Sequence, residues 1–140
     1  MEESLQLYKQ HIWRNGTTFA EAAFLLINTG EKDILVDKIA VRSQECVWTT
    51  VYYNKTQDTI NSDLPYNSTL MDGGSMIIDS TVYSFNQASG DLILKSGWAM
   101  IIYIANPDTI SVSDIGVTVG ITIFTAQAQY YKECNVQAIA

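Results

Sequence analysis

The sequence predicts an all-β protein, an immunoglobulin-like antiparallel β-sandwich of about 7–9 strands. Three observations carry that prediction. Apolar and polar residues alternate at period two through most of the chain. Turn residues punctuate the short apolar runs, at Asn28-Thr29-Gly30, Asp72-Gly73-Gly74, Lys95-Ser96-Gly97 and Asn106-Pro107-Asp108. β-Branched and aromatic residues fill stretches such as "CVWTTVYYN", residues 46–54. The 140 residues make a single domain, with 1–16 as an N-terminal helical stub or arm and 17–140 as the sandwich.

In chain order, Leu5, Tyr8 and Ile12 stand at i, i+3, i+7, one stripe of a helix with acidic residues at its start. Leu5 and Leu7 also alternate as in a strand, but a short helix ended by Asn15-Gly16-Thr17 is the favoured reading. Phe24-Leu25-Leu26-Ile27 and Ile34-Leu35-Val36 flank a polar turn, so residues 18–28 and 34–42 are expected to pair across it. In the second of these, Ile34 and Val36 share one face while Ile39 and Val41 share the other. A β-bulge at Asp37-Lys38 reconciles the two phases. Residues 46–54 form the next strand, and the polar stretch 55–69 a long surface loop or ragged edge. Strands follow at 76–84, 91–94 and 98–105, the last a central one, with a short piece at 110–112. Residues 116–131 read as one strand of about 50 Å, beyond the usual length. The expected core includes Ile27, Ile39, Val41, Ile102, Ile104, Val119 and Ile121.

The net charge is −7, from 8 Lys plus Arg against 15 Asp plus Glu, and charged residues make up 16% of the chain. That is well below the average of roughly 25% for soluble domains. Without clustered cations, binding to nucleic acid or to an anionic membrane is not expected. No run approaches the ~18 apolar residues of a membrane helix. Met1-Glu2-Glu3 is neither the basic start nor the apolar centre of a signal peptide. The chain is therefore expected to be cytosolic, or else a form whose targeting segment is missing.

No catalytic signature emerges, so the chain is read as not an enzyme, with no cofactor and no metal. His11 is the single histidine, and no G-x-S-x-G motif accompanies it. The stretch "DTINSD", residues 58–63, spaces oxygens as a calcium loop does but lacks the glycine and terminal glutamate of an EF-hand. Trp48, Tyr52, Tyr53, Tyr66 and Trp98 are able to stack sugars, although aromatics in strands more often serve as core. Three Asn-x-Ser/Thr sequons, at Asn15, Asn54 and Asn67, fall in expected turns or loops and suit an exported, glycosylated chain. In an oxidising compartment Cys46 and Cys134 would form a disulfide worth roughly 4–5 kcal/mol in the chain-entropy model. In a reducing one they would be two buried thiols.

The string "LINTGEKDILVDKIAVRSQE", residues 26–45, resembles the opening strands of archaeal type IV pilin and archaellin-like ectodomains. "LMDGGSMIIDS", residues 70–80, looks like their Leu-x-x-Gly turn into a strand. "LKSGWAMIIYIANPDTISVSDIGVTVGITIF", residues 94–124, is similar to their closing meander. The resemblance implies a non-catalytic structural subunit of a cell-surface filament, pilus or archaellum-like: a soluble extracellular head carried on an apolar N-terminal helix, which this sequence lacks. Self-association would run through that missing helix, with contacts continuing onto Leu5, Tyr8 and Ile12 and glycans held away from them. The head itself would bind no nucleic acid and insert in no membrane. An extracellular adhesion module binding a glycan, a host surface or a protein is the alternative, and a strand-donating filament subunit is another.

Overall fold

A computed structural model describes residues 4–15, 19–67, 72–107 and 110–139. The first strands are β1 (Leu5–Asn15), β2 (Ala20–Asn28), β3 (Ile34–Val41), β4 (Gln44–Glu45), β5 (Val51–Thr56) and β6 (Ser75–Ile78). They are followed by β7 (Thr81–Ser84), β8 (Asn86–Gln87), β9 (Leu92–Leu94), β10 (Ala99–Ala105), β11 (Thr118–Thr125) and β12 (Gln129–Ile139). Among the described residues the helical content is two 3₁₀ turns, Trp48–Thr50 and Val112–Asp114. The expected all-β class is borne out.

Ten of these strands form one sheet in the order β4-β3-β11-β12-β1-β2-β10-β5-β8, with β9 added beside β3. The sheet curls so that β3 and β11 face β2 and β10 across an inner core containing Phe24, Leu26, Ile39, Ile102, Ile104 and Ile121. The expected core residues Ile39, Val41, Ile102, Ile104, Val119 and Ile121 are all buried there, while Ile27 is half-buried on the opposite face. The bulge expected in β3 is present. Phe124 pairs with Lys38 and Thr125 with Val36, so Asp37 is skipped and Ile34, Val36, Ile39 and Val41 all point inward.

The N-terminal segment corrects the helical expectation. Residues 5–15 are β1, an interior strand antiparallel to β2 and parallel to β12. A second bulge explains the misleading stripe. Tyr8 pairs with Leu25 but His11 with Ala23, and Lys9 takes a φ of 57°. The extra residue reverses the side-chain phase, so Leu5, Leu7 and Ile12 face the inner core, and Tyr8 and Trp13 the outer side. An alternation broken by one residue mimics a helical spacing.

Two further expectations change. The strands β2 and β3 do not pair across the Asn28–Asp33 turn: β2 lies between β1 and β10, and β3 between β11 and the β4/β9 edge. The turn carries the chain from one half of the curled sheet to the other. The single long strand at 116–131 is instead β11, a turn at 126–128 in which Thr125 N–H donates to Ala128 O, and β12. The segment after β5 is irregular over 57–67, as expected of a loop, but it is packed against the sheet. It supplies Ile60 and Leu64, then the β6–β7 hairpin with Met76, Ile78 and Tyr83, and finally Phe85. These cover the outer face of β1, β2 and β10 over Trp13, Leu25, Ile101 and Tyr103, so the sheet has a second core behind the first.

Candidate ligand-binding groove

The Asn28–Asp33 turn builds a site because its polar groups are spent on holding a second turn. Asn28 is 1% exposed. Its Nδ2 donates to Lys32 O at 2.8 Å and to Leu94 O at 3.0 Å, and its Oδ1 accepts from Gly30 N–H at 3.0 Å. Its backbone exchanges hydrogen bonds with Trp98 O and Gly97 N–H. Ser96 Oγ donates to Gly30 O at 2.6 Å, and the Ser96 N–H donates to Asp33 Oδ1 at 3.0 Å. The Lys95–Trp98 turn, with Gly97 at φ 82° and Trp98 N–H on Lys95 O, is thereby clamped between β9 and β10.

β9 belongs to one half of the sheet and β10 to the other, and the sandwich stays open beside them. A groove of about 400 Å³ lies there, lined by Lys55 of β5, Ile93 of β9, and Lys95 and Trp98 of the clamped turn. Its size falls within the range of small-molecule sites. Trp98 is half-buried against the inner core and Ile93 is 50% exposed. The Lys55 ammonium lies 5.7 Å from the centre of the Tyr53 ring. Burial, and then the charge of Lys95, hold the Lys55 amine below the usual lysine range. Among the described residues, the side-chain ion pairs are His11–Asp63 and Arg42–Asp114, so neither Lys55 nor Lys95 is engaged in one, and the carboxylate that meets the clamped turn, Asp33, is held on Ser96 N–H.

A second concentration of polar groups lies under the outer cover. Tyr103 Oη donates to Pro65 O at 2.6 Å, and Glu21 Oε1 accepts from Asn67 N–H at 3.0 Å. His11 stacks on Trp13 with ring centres 4.9 Å apart and meets Asp63 at 2.6 Å and Gln137 at 2.9 Å. Burial pushes the Glu21 carboxyl up to about 8, against the lowering effect of the Asn67 bond. Burial also raises Tyr103, helped by Glu21 and Asp63. Burial pushes the Asp63 carboxyl up, but His11, the Leu64 N–H and the charge of Lys9 together hold it below the usual aspartate range. Glu21 is 2% exposed and Tyr103 is fully buried, so these groups fasten the cover rather than face a substrate.

The residues singled out from the sequence are not brought together. Leu5 and Ile12 sit in the inner core while Tyr8 packs on the outer one, so no exposed stripe is left for polymer contacts. Cys46 and Cys134 are thiols. Cys46 follows β4 and bonds Ile39 O, whereas Cys134 lies opposite Val119 in β12. With β3 and β11 between them, they are some three strand spacings apart along the sheet, roughly 14 Å, where a disulfide needs Cα atoms within about 7 Å. Asn15 ends β1, its Oδ1 accepting from Phe19 N–H. Asn54 lies within β5, with Nδ2 on Ser84 O at 2.7 Å, and Asn67 follows Tyr66 in the covering segment, half-buried, with its N–H on Glu21. Gly16, Thr17, Ser68 and Thr69 of two sequons lie outside the described residues. Tyr52 packs on the outer core, Trp48 and Tyr53 on the inner one, so they form no common sugar platform.

No family model and no curated protein matches the chain. Among solved structures it is similar to the PCuAC domain of PmoF2 in its apo form, at 10% identity and a TM-score of 0.52. That alignment covers 99% of this chain and 95% of the other. The copper-bound form of the same domain aligns at 12% identity and a TM-score of 0.42, covering 99% of this chain and all of the other. At such identities the likeness is one of fold. It corrects the resemblance to pilin and archaellin heads, because the fold found is that of a PCuAC domain. The filament subunit, the strand donor and the adhesion module fall with it, as does self-association through an N-terminal helix, since the segment that would extend such a helix is interior strand β1.

Proposed function

We propose that this chain is a non-catalytic β-sandwich domain that binds a small apolar or amphiphilic molecule in the groove beside Trp98. The observation that carries the proposal is the convergence of Trp98, Ile93 and the stems of Lys55 and Lys95 on one open concavity of about 400 Å³. The low charge content and the sequons at Asn15 and Asn67 support a location outside the cell. Copper, bound by the PmoF2 domain in the second comparison, does not carry over. Among the described residues no three His, Cys, Asp or Glu side chains converge on a point. Met76 and Met100 are buried in different cores, and His11 is engaged by Asp63 and Gln137.

The test uses N-phenyl-1-naphthylamine, an uncharged fluorophore that brightens when it leaves water. One equivalent is expected to bind with micromolar affinity, and Trp98→Ala or Ile93→Glu is expected to weaken binding at least tenfold, about 1.4 kcal/mol. Trp48→Ala should leave it unchanged. Absence of binding, or binding indifferent to both groove variants while their circular dichroism stays native, overturns the assignment.

A further inference from the structure

We infer that the ligand of this groove is a free single-chain amphiphile with an anionic head, its carboxylate seated between Lys55 and Lys95 and its hydrocarbon tail along Ile93 and Trp98. The inference rests on the groove being a binding site and adds the chemistry of what it takes. In a chain with 15 acidic and 8 basic residues, cations are expected to find carboxylate neighbours. Here two come from different halves of the sheet to the rim of one groove, and the described ion pairs lie elsewhere. Holding two ammonium groups near each other raises the energy of the empty site. Burial and the neighbouring charge both depress the Lys55 amine, and an anion between them relieves that cost. The apolar part of the site also meets solvent: Ile93 is half exposed, and Trp98, which lines the groove with it, is only half-buried.

The charge balance also selects the source of the head group. A net charge of −7 repels an anionic bilayer surface, and two lysines at the groove rim do not offset it. A free carboxylate amphiphile approaches as a single charge and is steered by the local field of the lysine pair. The clamp makes the arrangement rigid before binding, because Lys95 and Trp98 are positioned by the Asn28 and Ser96 bonds rather than by the ligand.

The experiment competes decanoate, decan-1-ol and decyltrimethylammonium against bound N-phenyl-1-naphthylamine, all below their aggregation limits. Decanoate is expected to displace the fluorophore about tenfold more tightly than decanol and decyltrimethylammonium least. The doubly substituted Lys55→Gln, Lys95→Gln chain should lose the decanoate preference while keeping its affinity for decanol. Raising salt to about 1 M should erode the decanoate advantage in the wild type only. Equal binding of decanoate and decanol, or a preference that survives the double substitution, overturns the inference while leaving the groove as an apolar site. Tighter association with phosphatidylglycerol vesicles than with decanoate overturns it in favour of a membrane surface. If the fluorophore itself does not bind, the groove assignment fails first.

Discussion

The two faces of β2 and β10 pass through the same backbone yet are closed in different ways. Inward, Phe24, Leu26, Met100, Ile102 and Ile104 meet side chains of β3 and β11, and the partner surface is another part of the same sheet. Each of these four strands has a neighbour on both sides, so apart from the β3 bulge their backbone groups lie in ladders and apolar side chains suffice. Outward, Leu25, Ile101 and Tyr103 meet the segment between β5 and β8, which is mostly irregular before the β6–β7 hairpin. Irregular backbone brought onto a buried face carries N–H and C=O groups without ladder partners. The sheet therefore answers with polar side chains, Tyr103 for Pro65 O and Glu21 for Asn67 N–H, while within the cover Asp63 accepts from Leu64 N–H. A sheet covered by sheet needs only shape, whereas a sheet covered by loop also needs specific polar partners.

Removing a large inner side chain tests that contrast most severely. Phe24→Ala is expected to destabilise the protein by about 3–5 kcal/mol, in a chemical melt where tryptophan fluorescence and far-UV circular dichroism move together. Separate transitions by the two probes would show that the inner core does not unite the molecule.

The outer face should show its polar character as a pH dependence. Glu21 has a carboxyl near 8 in the folded chain against 4.5 as its ordinary value, so folding takes up a proton between those limits. Stability from this group is complete below about pH 4.5 and declines as pH rises toward 8, by up to about 1.4 kcal/mol per pH unit. Glu21→Gln keeps an acceptor for Asn67 N–H and cannot ionise, so its urea midpoint should exceed that of the wild type at pH 8. Parallel pH profiles for the two proteins would place Glu21 in contact with water.

Smaller effects separate the remaining fastenings. Tyr103→Phe leaves the ring packed on Phe85 and deprives Pro65 O of its donor, at a cost of about 1–2 kcal/mol, with backbone exchange near residue 65 speeding up before the inner strands do. Asp63→Asn removes a contact whose carboxylate is two-thirds exposed, and a change within about 0.5 kcal/mol is expected, fading further in salt. A larger loss would make His11–Asp63 a principal anchor of the cover.

The class of fold was legible in the local pattern, down to the bulge in β3, because Ile34/Val36 and Ile39/Val41 can reach one core only if a residue is skipped. The same device in β1 was misread, since Lys9 carries no mark of its positive φ and the displaced apolar residues imitate a helix. Trp98 and the Lys95-Ser96-Gly97 turn were visible as an aromatic and a turn, and Lys55 as the end of a strand, without anything to join them. Lys55 stands 38 to 43 positions from Ile93, Lys95 and Trp98, and it joins them in one site only when the sheet curls and β5, β9 and β10 become neighbours. Alternation is a property of consecutive residues, so the chain alone determined strands, turns and buried faces. Which strands pair, which face a loop must cover, and where two lysines meet a tryptophan depend on long-range packing, and those the tertiary structure decided.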